Sequence, residues 1–131
     1  MKPLVYVAGP VTGNPWGCVR QATDAFAWLR DAGCVPFLPQ LSVLHEMVDP
    51  QPYEEWLTYD LDVLEHCHAL VRLPGESSGA DREVAWAREH GLPVLELAPH
   101  ESIGKMPWGA WSAWLDDART RVALDATHRA T

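Results

Sequence analysis

Four short apolar runs separated by stretches of helical spacing constrain this chain more than any other feature. Residues 3–9 (PLVYVAG) end at Gly9-Pro10, the pattern of a strand buried on both faces. Asn14 then caps a helix with Pro15 at its first position, and Val19, Ala22, Phe26 and Leu29 form its apolar stripe up to Gly33. Residues 34–38 (CVPFL) read as a second strand, and Pro36, which lacks a ladder donor, places it at an edge or at a strand start. A polar, Pro-rich loop is expected next, followed by a helix over residues 52–67 whose stripe runs through Trp56, Leu57, Leu61 and Leu64. Residues 68–73 (HALVRL) form the third strand. A helix follows from a turn near Ser78, with Asp81 completing a capping-box pattern and Gly91 ending it, and residues 92–97 (LPVLEL) form the fourth strand.

This β-α-β-α-β-α-β order predicts an α/β fold: one Rossmann-like, flavodoxin-like domain over residues 1–131, with a parallel sheet of four to five strands and helices on both faces. A C-terminal helix is expected over residues 107–127. There Trp108, Trp111 and Leu115 share a face that so small a sheet has little free surface to cover, which predicts a subunit contact in a homo-oligomer. The alternative is that this helix packs on its own sheet.

Charge narrows the partners. A formal charge of −8 with no run of Lys or Arg excludes a nucleic-acid polymer, whose binding needs phosphate neutralisation. The apolar run at the N-terminus is too short for a signal-peptide core and no segment approaches a membrane span, so a cytoplasmic protein without membrane attachment is expected. Cys18, Cys34 and Cys67 are odd in number and widely spaced, as reduced thiols are. His66, Cys67 and His68 diverge on adjacent positions and lack a second ligand pair, so neither a metal nor another cofactor is expected.

In an open parallel sheet, ligands collect at the carboxyl ends of the strands. Three segments meet there. Gly9 and Gly13 in the loop AGPVTGNP allow close backbone approach to a ligand, although such a loop is as readily a plain tight turn. In GESSGADRE, the hydroxyls of Ser77 and Ser78 stand at a positive helix end suited to a phosphate or a sugar hydroxyl. That field favours an ionised Glu83, a carboxylate able to attack an anomeric carbon, while composition alone favours a solvated surface charge. On the preceding helix Asp60 sits near the apolar stripe, where a raised pKa and proton transfer to a leaving base are expected. Asp62 faces solvent.

Together, YVAGPVTG, YDLDVLEHCHALVRLPG and SSGADREVAWAREHGLPV resemble the nucleoside 2-deoxyribosyltransferase superfamily, over about residues 4–97, and within it the short branch labelled DUF4406. The resemblance implies a small-molecule nucleoside or nucleoside 5′-monophosphate as substrate. Its N-glycosidic bond would be cleaved with transfer of the sugar to water or to a second base. It matches Glu83 to the nucleophile after the glycine of the G-x-x-x motif, Gly79, and Tyr6 to the residue that positions this carboxylate. Asp60 matches an acid that contacts the sugar or the leaving base, and Ser77 the residue that handles the 5′ end. Pro10 and Thr12 stand where the nucleotide hydrolases of the superfamily carry phosphate-binding Ser and basic residues. A nucleotide-binding or sensing module of the same fold without turnover is the alternative.

Overall fold

The computed structural model describes residues 1–99 and 101–130. Its strands are β1 (Leu4–Ala8), β2 (Val35–Phe37), β3 (Ala69–Arg72) and β4 (Val94–Glu96). The helices are α1 (Pro15–Asp31), α2 (Ser42–Val48), α3 (Tyr53–Leu64), α4 (Ser78–Glu89) and α5 (Trp108–Ala130), with short 3-10 turns at Pro39–Leu41 and Ile103–Lys105. All strand pairs are parallel and the order is β2-β1-β3-β4. Pro36 lies in the edge strand β2, where its missing N–H breaks no central ladder.

Side-chain alternation divides the sheet into two cores. Val5, Val7, Ala69, Val71 and Leu95 pack with α1 and α5 through Ala22, Ala25, Leu29, Trp111, Trp114, Leu115 and Ala118. On the other face Tyr6, Ala8 and Leu70 pack with α3 and α4 through Leu64, Ala80, Val84 and Ala87. Asn14 caps α1 through Oδ1, which accepts from Gly17 N at 3.1 Å, with Pro15 at the first position as its fixed φ favours.

Three expectations change. The segment after β2 is not only loop, since it contains α2, which buries none of its residues and at seven residues is too short to show a helical period. Ser77, not Ser78, caps α4, its Oγ accepting from Ala80 N at 3.1 Å, and Asp81 turns to Arg72 instead of closing a capping box. The C-terminal helix starts at Trp108 and continues to Ala130, and it covers its own sheet: Trp111 and Leu115 are buried within the chain, while Trp108 is exposed. The contact expected for Trp111 and Leu115 with a second subunit is therefore corrected, because the α1/α5 face of the sheet has room for both. Trp114 adds a hydrogen bond from Nε1 to Pro93 O at 3.2 Å, and His68 Nε2 lies 2.8 Å from Asp125 Oδ2, fastening α5 to the sheet. Among the described residues no helix is long and apolar enough to cross a membrane.

Candidate active site

β1 and β3 are neighbours, but the chain leaves β1 toward β2 on one side and β3 toward β4 on the other. At such a switch point the two following loops diverge and open a crevice at the carboxyl ends of the strands. A cavity of about 380 Å³ lies there, lined by Gly9, Val11 and Thr12 after β1 and by Ser77, Ser78, Gly79, Ala80 and Glu83 of the α4 start. α2 and α3 supply most of the remaining wall, including Glu46, Trp56 and Asp60, with Pro15, Pro39 and Gln51 completing it.

Tyr6 lies wholly buried behind this cavity on the α4 face of β1, and its hydroxyl donates to Glu83 Oε2. The two residues are 77 positions apart and meet because alternation along β1 turns Tyr6 toward the helix that carries Glu83. Glu83 is only 7% exposed and still lines the cavity. It therefore is not the solvated surface charge that composition favours. Burial, opposed by the Tyr6 hydrogen bond and reinforced by the nearby Asp60 charge, holds its pKa up at about 7. The helix end does not keep it ionised as expected, since with Ser77 as cap Glu83 falls in the second turn of α4, beyond the strongest part of the helix field. Burial and the negative charges of Glu83 and Asp60 also raise Tyr6, which stays a protonated donor.

Asp60 is half-buried and its pKa is pushed up to about 7 by desolvation, as its place beside the apolar stripe predicts; Asp62 is exposed. The cavity thus holds two carboxyl groups that exchange protons near neutrality. Arg72, outside the lining, braces the turn that leads into α4. Buried at the end of β3, it donates to Leu73 O, to Gly75 O at 2.9 Å and to Asp81 Oδ1 at 3.0 Å, tying the turn after β3 to the first turn of α4. Its charge counters part of the rise at Glu83.

Gly9, Thr12, Asp60, Ser77, Ser78, Gly79 and Glu83 all line the cavity, and Tyr6 reaches Glu83 from behind its wall. Pro10 and Gly13 do not line the cavity. Pro10 packs on the turn after β3, where a Cβ on Gly75 would come within 2.8 Å of its Cγ, and Gly13 supplies a φ of 89° to the turn before α1. Gly9 is needed for close packing, since a Cβ there would stand 3.1 Å from Gln40 Nε2 and Leu73 Cβ. Sequence reading missed Glu46, Trp56, Arg72 and Gln40. Gln40 is completely buried and donates from Nε2 to Val7 O at 3.1 Å, holding the 3-10 turn against β1. An Arg inside an apolar strand run was the one legible signal, because a charge there demands buried partners.

No curated protein matches the sequence. Seven chains of solved structures match the fold. One of them is a 2-deoxyribosyltransferase from Bacillus psychrosaccharolyticus, at 23% identity and a TM-score of 0.56, over 76% of this chain and 75% of that one. At that identity the likeness is one of fold. The family model described as a domain of unknown function, DUF4406, matches residues 3–96, from β1 through β4 and across every cavity-lining segment, and the chain belongs to that family.

Proposed function

We propose that the protein cleaves the N-glycosidic bond of a nucleoside with Glu83 as nucleophile. The buried hydrogen bond from Tyr6 to Glu83, at the wall of a cavity that also holds Asp60, carries this reading. Tyr6 engages Oε2 and leaves Oε1 for attack on C1′ of the sugar. The C1′–N bond breaks, its electron pair goes to the base, and Asp60 delivers a proton to that base directly or through water. The resulting glycosyl ester is resolved by water or by a second base that attacks C1′, gives its proton to the Asp60 carboxylate and releases the Glu83 carboxylate. Two carboxyl groups near pH 7 support the division of labour, one ionised and one protonated in the same species.

The likeness of fold to a 2-deoxyribosyltransferase supports a nucleoside as the ligand. The lining contains three carboxylates, Glu46, Asp60 and Glu83, and no Lys or Arg, which favours an uncharged 5′ end over a 5′-phosphate. Ser77, Ser78 and Thr12 suit sugar hydroxyls. Work in the cytoplasm and as a homo-oligomer belongs to the same proposal, the oligomer supported by exposed apolar side chains along α2 and α3: Leu44, Met47, Val48, Tyr53 and Tyr59.

The test incubates the protein with nucleosides and their 5′-monophosphates, with and without an acceptor base, and follows free and exchanged base by chromatography. Base released without acceptor means hydrolysis, and exchange alone means transfer. Glu83→Gln is expected to lower kcat by about 10³-fold or more as the covalent route is lost. A folded Glu83→Gln protein with near wild-type turnover would refute the nucleophile.

A further inference from the structure

We propose that Glu46 is a specificity-determining residue of this cavity, accepting a hydrogen bond from the leaving base and selecting bases that carry an exocyclic amine. The inference rests on the nucleoside-cleaving reading above and adds to it the group that is recognised.

Glu46 lies on α2 and lines the cavity. Its Oε1 accepts two hydrogen bonds from the chain, from Gln51 N at 2.7 Å and from Trp56 Nε1. These donors clamp the carboxyl group, and Oε2 has no partner among the described residues. The same two bonds hold its pKa below the usual carboxylate range, so at neutral pH Glu46 is ionised and has only acceptors to offer.

Its position relative to the reacting groups follows from α3. Trp56 and Asp60 are four residues apart on one helix, so they share a face about one turn apart, and both line the cavity. A base whose departing nitrogen is served by Asp60 then has Trp56 one turn further along the same wall. The indole offers an aromatic surface to the ring. The Glu46 carboxylate lines the same cavity and is bonded to that indole. An amine donates to this carboxylate. A carbonyl oxygen in the same place sets acceptor against acceptor, and the ring N–H of a keto base is flanked by such an oxygen.

Glu46→Gln separates recognition from structure. The amide oxygen keeps the acceptor that Gln51 N and the Trp56 indole require, and the amide NH₂ replaces only the free oxygen. Binding of free bases is measured by calorimetry with adenine against hypoxanthine and cytosine against uracil. The wild type is expected to bind the amino member of each pair about 10-fold tighter, and Glu46→Gln to level or invert the ratio. Equal affinities in the wild type, an unchanged ratio in the variant, or no binding of any base would overturn the assignment. Cleavage of the corresponding nucleosides is measured beside it. An amine preference in binding without release of base from any nucleoside would refute the glycosidic reading and leave Glu46 standing, whereas release with no amine preference would do the reverse.

Discussion

At the scale of single residues, the cavity is costly to build. Glu83 is taken out of water with one hydrogen bond from Tyr6, and its pKa rises from 4.5 to about 7. Below pH 4.5 folded and unfolded chains both carry the proton; between 4.5 and about 7 only the folded protein keeps it; above 7 the fold holds a buried anion. The unfolded chain binds fewer protons in that window, so stability falls as pH rises through it. Asp60, raised in the same direction from 3.8, adds to the slope. Glu83→Gln is therefore expected to stabilise the protein above pH 7 by on the order of 2–3 kcal/mol while destroying turnover. Urea midpoints of both proteins at pH 4 and pH 8 measure this, and a variant no more stable than wild type at pH 8 would count against the strained carboxylate. The same two groups predict a bell-shaped pH profile for kcat/KM with both limbs near neutrality. Acid removes the Glu83 anion and base removes the Asp60 proton, with apparent values that belong to the pair.

At the scale of elements, the α4 start does two jobs that the sequence offered to two adjacent serines. Ser77 has the extended φ of −162° that an N-cap takes, and its Oγ satisfies Ala80 N. Ser77→Ala is expected to cost about 1 kcal/mol, while Ser78→Ala, at an exposed first helical position, costs a few tenths. Thermal unfolding of the two variants decides the register, and equal losses would contradict it. The strands and long helices were legible because burial on two faces writes continuous apolar runs, and burial on one helix face writes a period of 3.6. Asp60 against Asp62 was legible for the same reason, since the stripe orients the helix. Nothing comparable marks α2, whose seven residues are too few for a period and all lie outside the core. Glu46 was missed with it. The meeting of Tyr6 with Glu83 came only from family resemblance, because a contact across 77 residues leaves no local pattern.

At the scale of the whole molecule, the apolar face of α5 was legible and its partner was not, since an apolar stripe is the same whether a sheet of the same chain or a second chain covers it. In the structure the sheet covers it. Trp111 is 2% exposed and packs with Trp28 and Trp114 in the α1/α5 core, so Trp111→Glu would bury an unpaired charge and is expected to unfold the protein. Trp108, 66% exposed, should accept Glu with its fold intact. The proposed self-association has two exposed apolar places to use, Trp108 at the start of α5 and the larger group on α2 and α3, with Met47 at 69% and Val48 at 87% exposure. A pair of such residues rimmed by charge is a common seed for contact between copies. Light scattering of the wild type at micromolar concentration is expected to give an oligomer, and Val48→Glu to give a folded protein of lower mass. A wild-type monomer would refute self-association. An unchanged oligomer in Val48→Glu, with loss of mass only in Trp108→Glu, would return the contact to the start of α5.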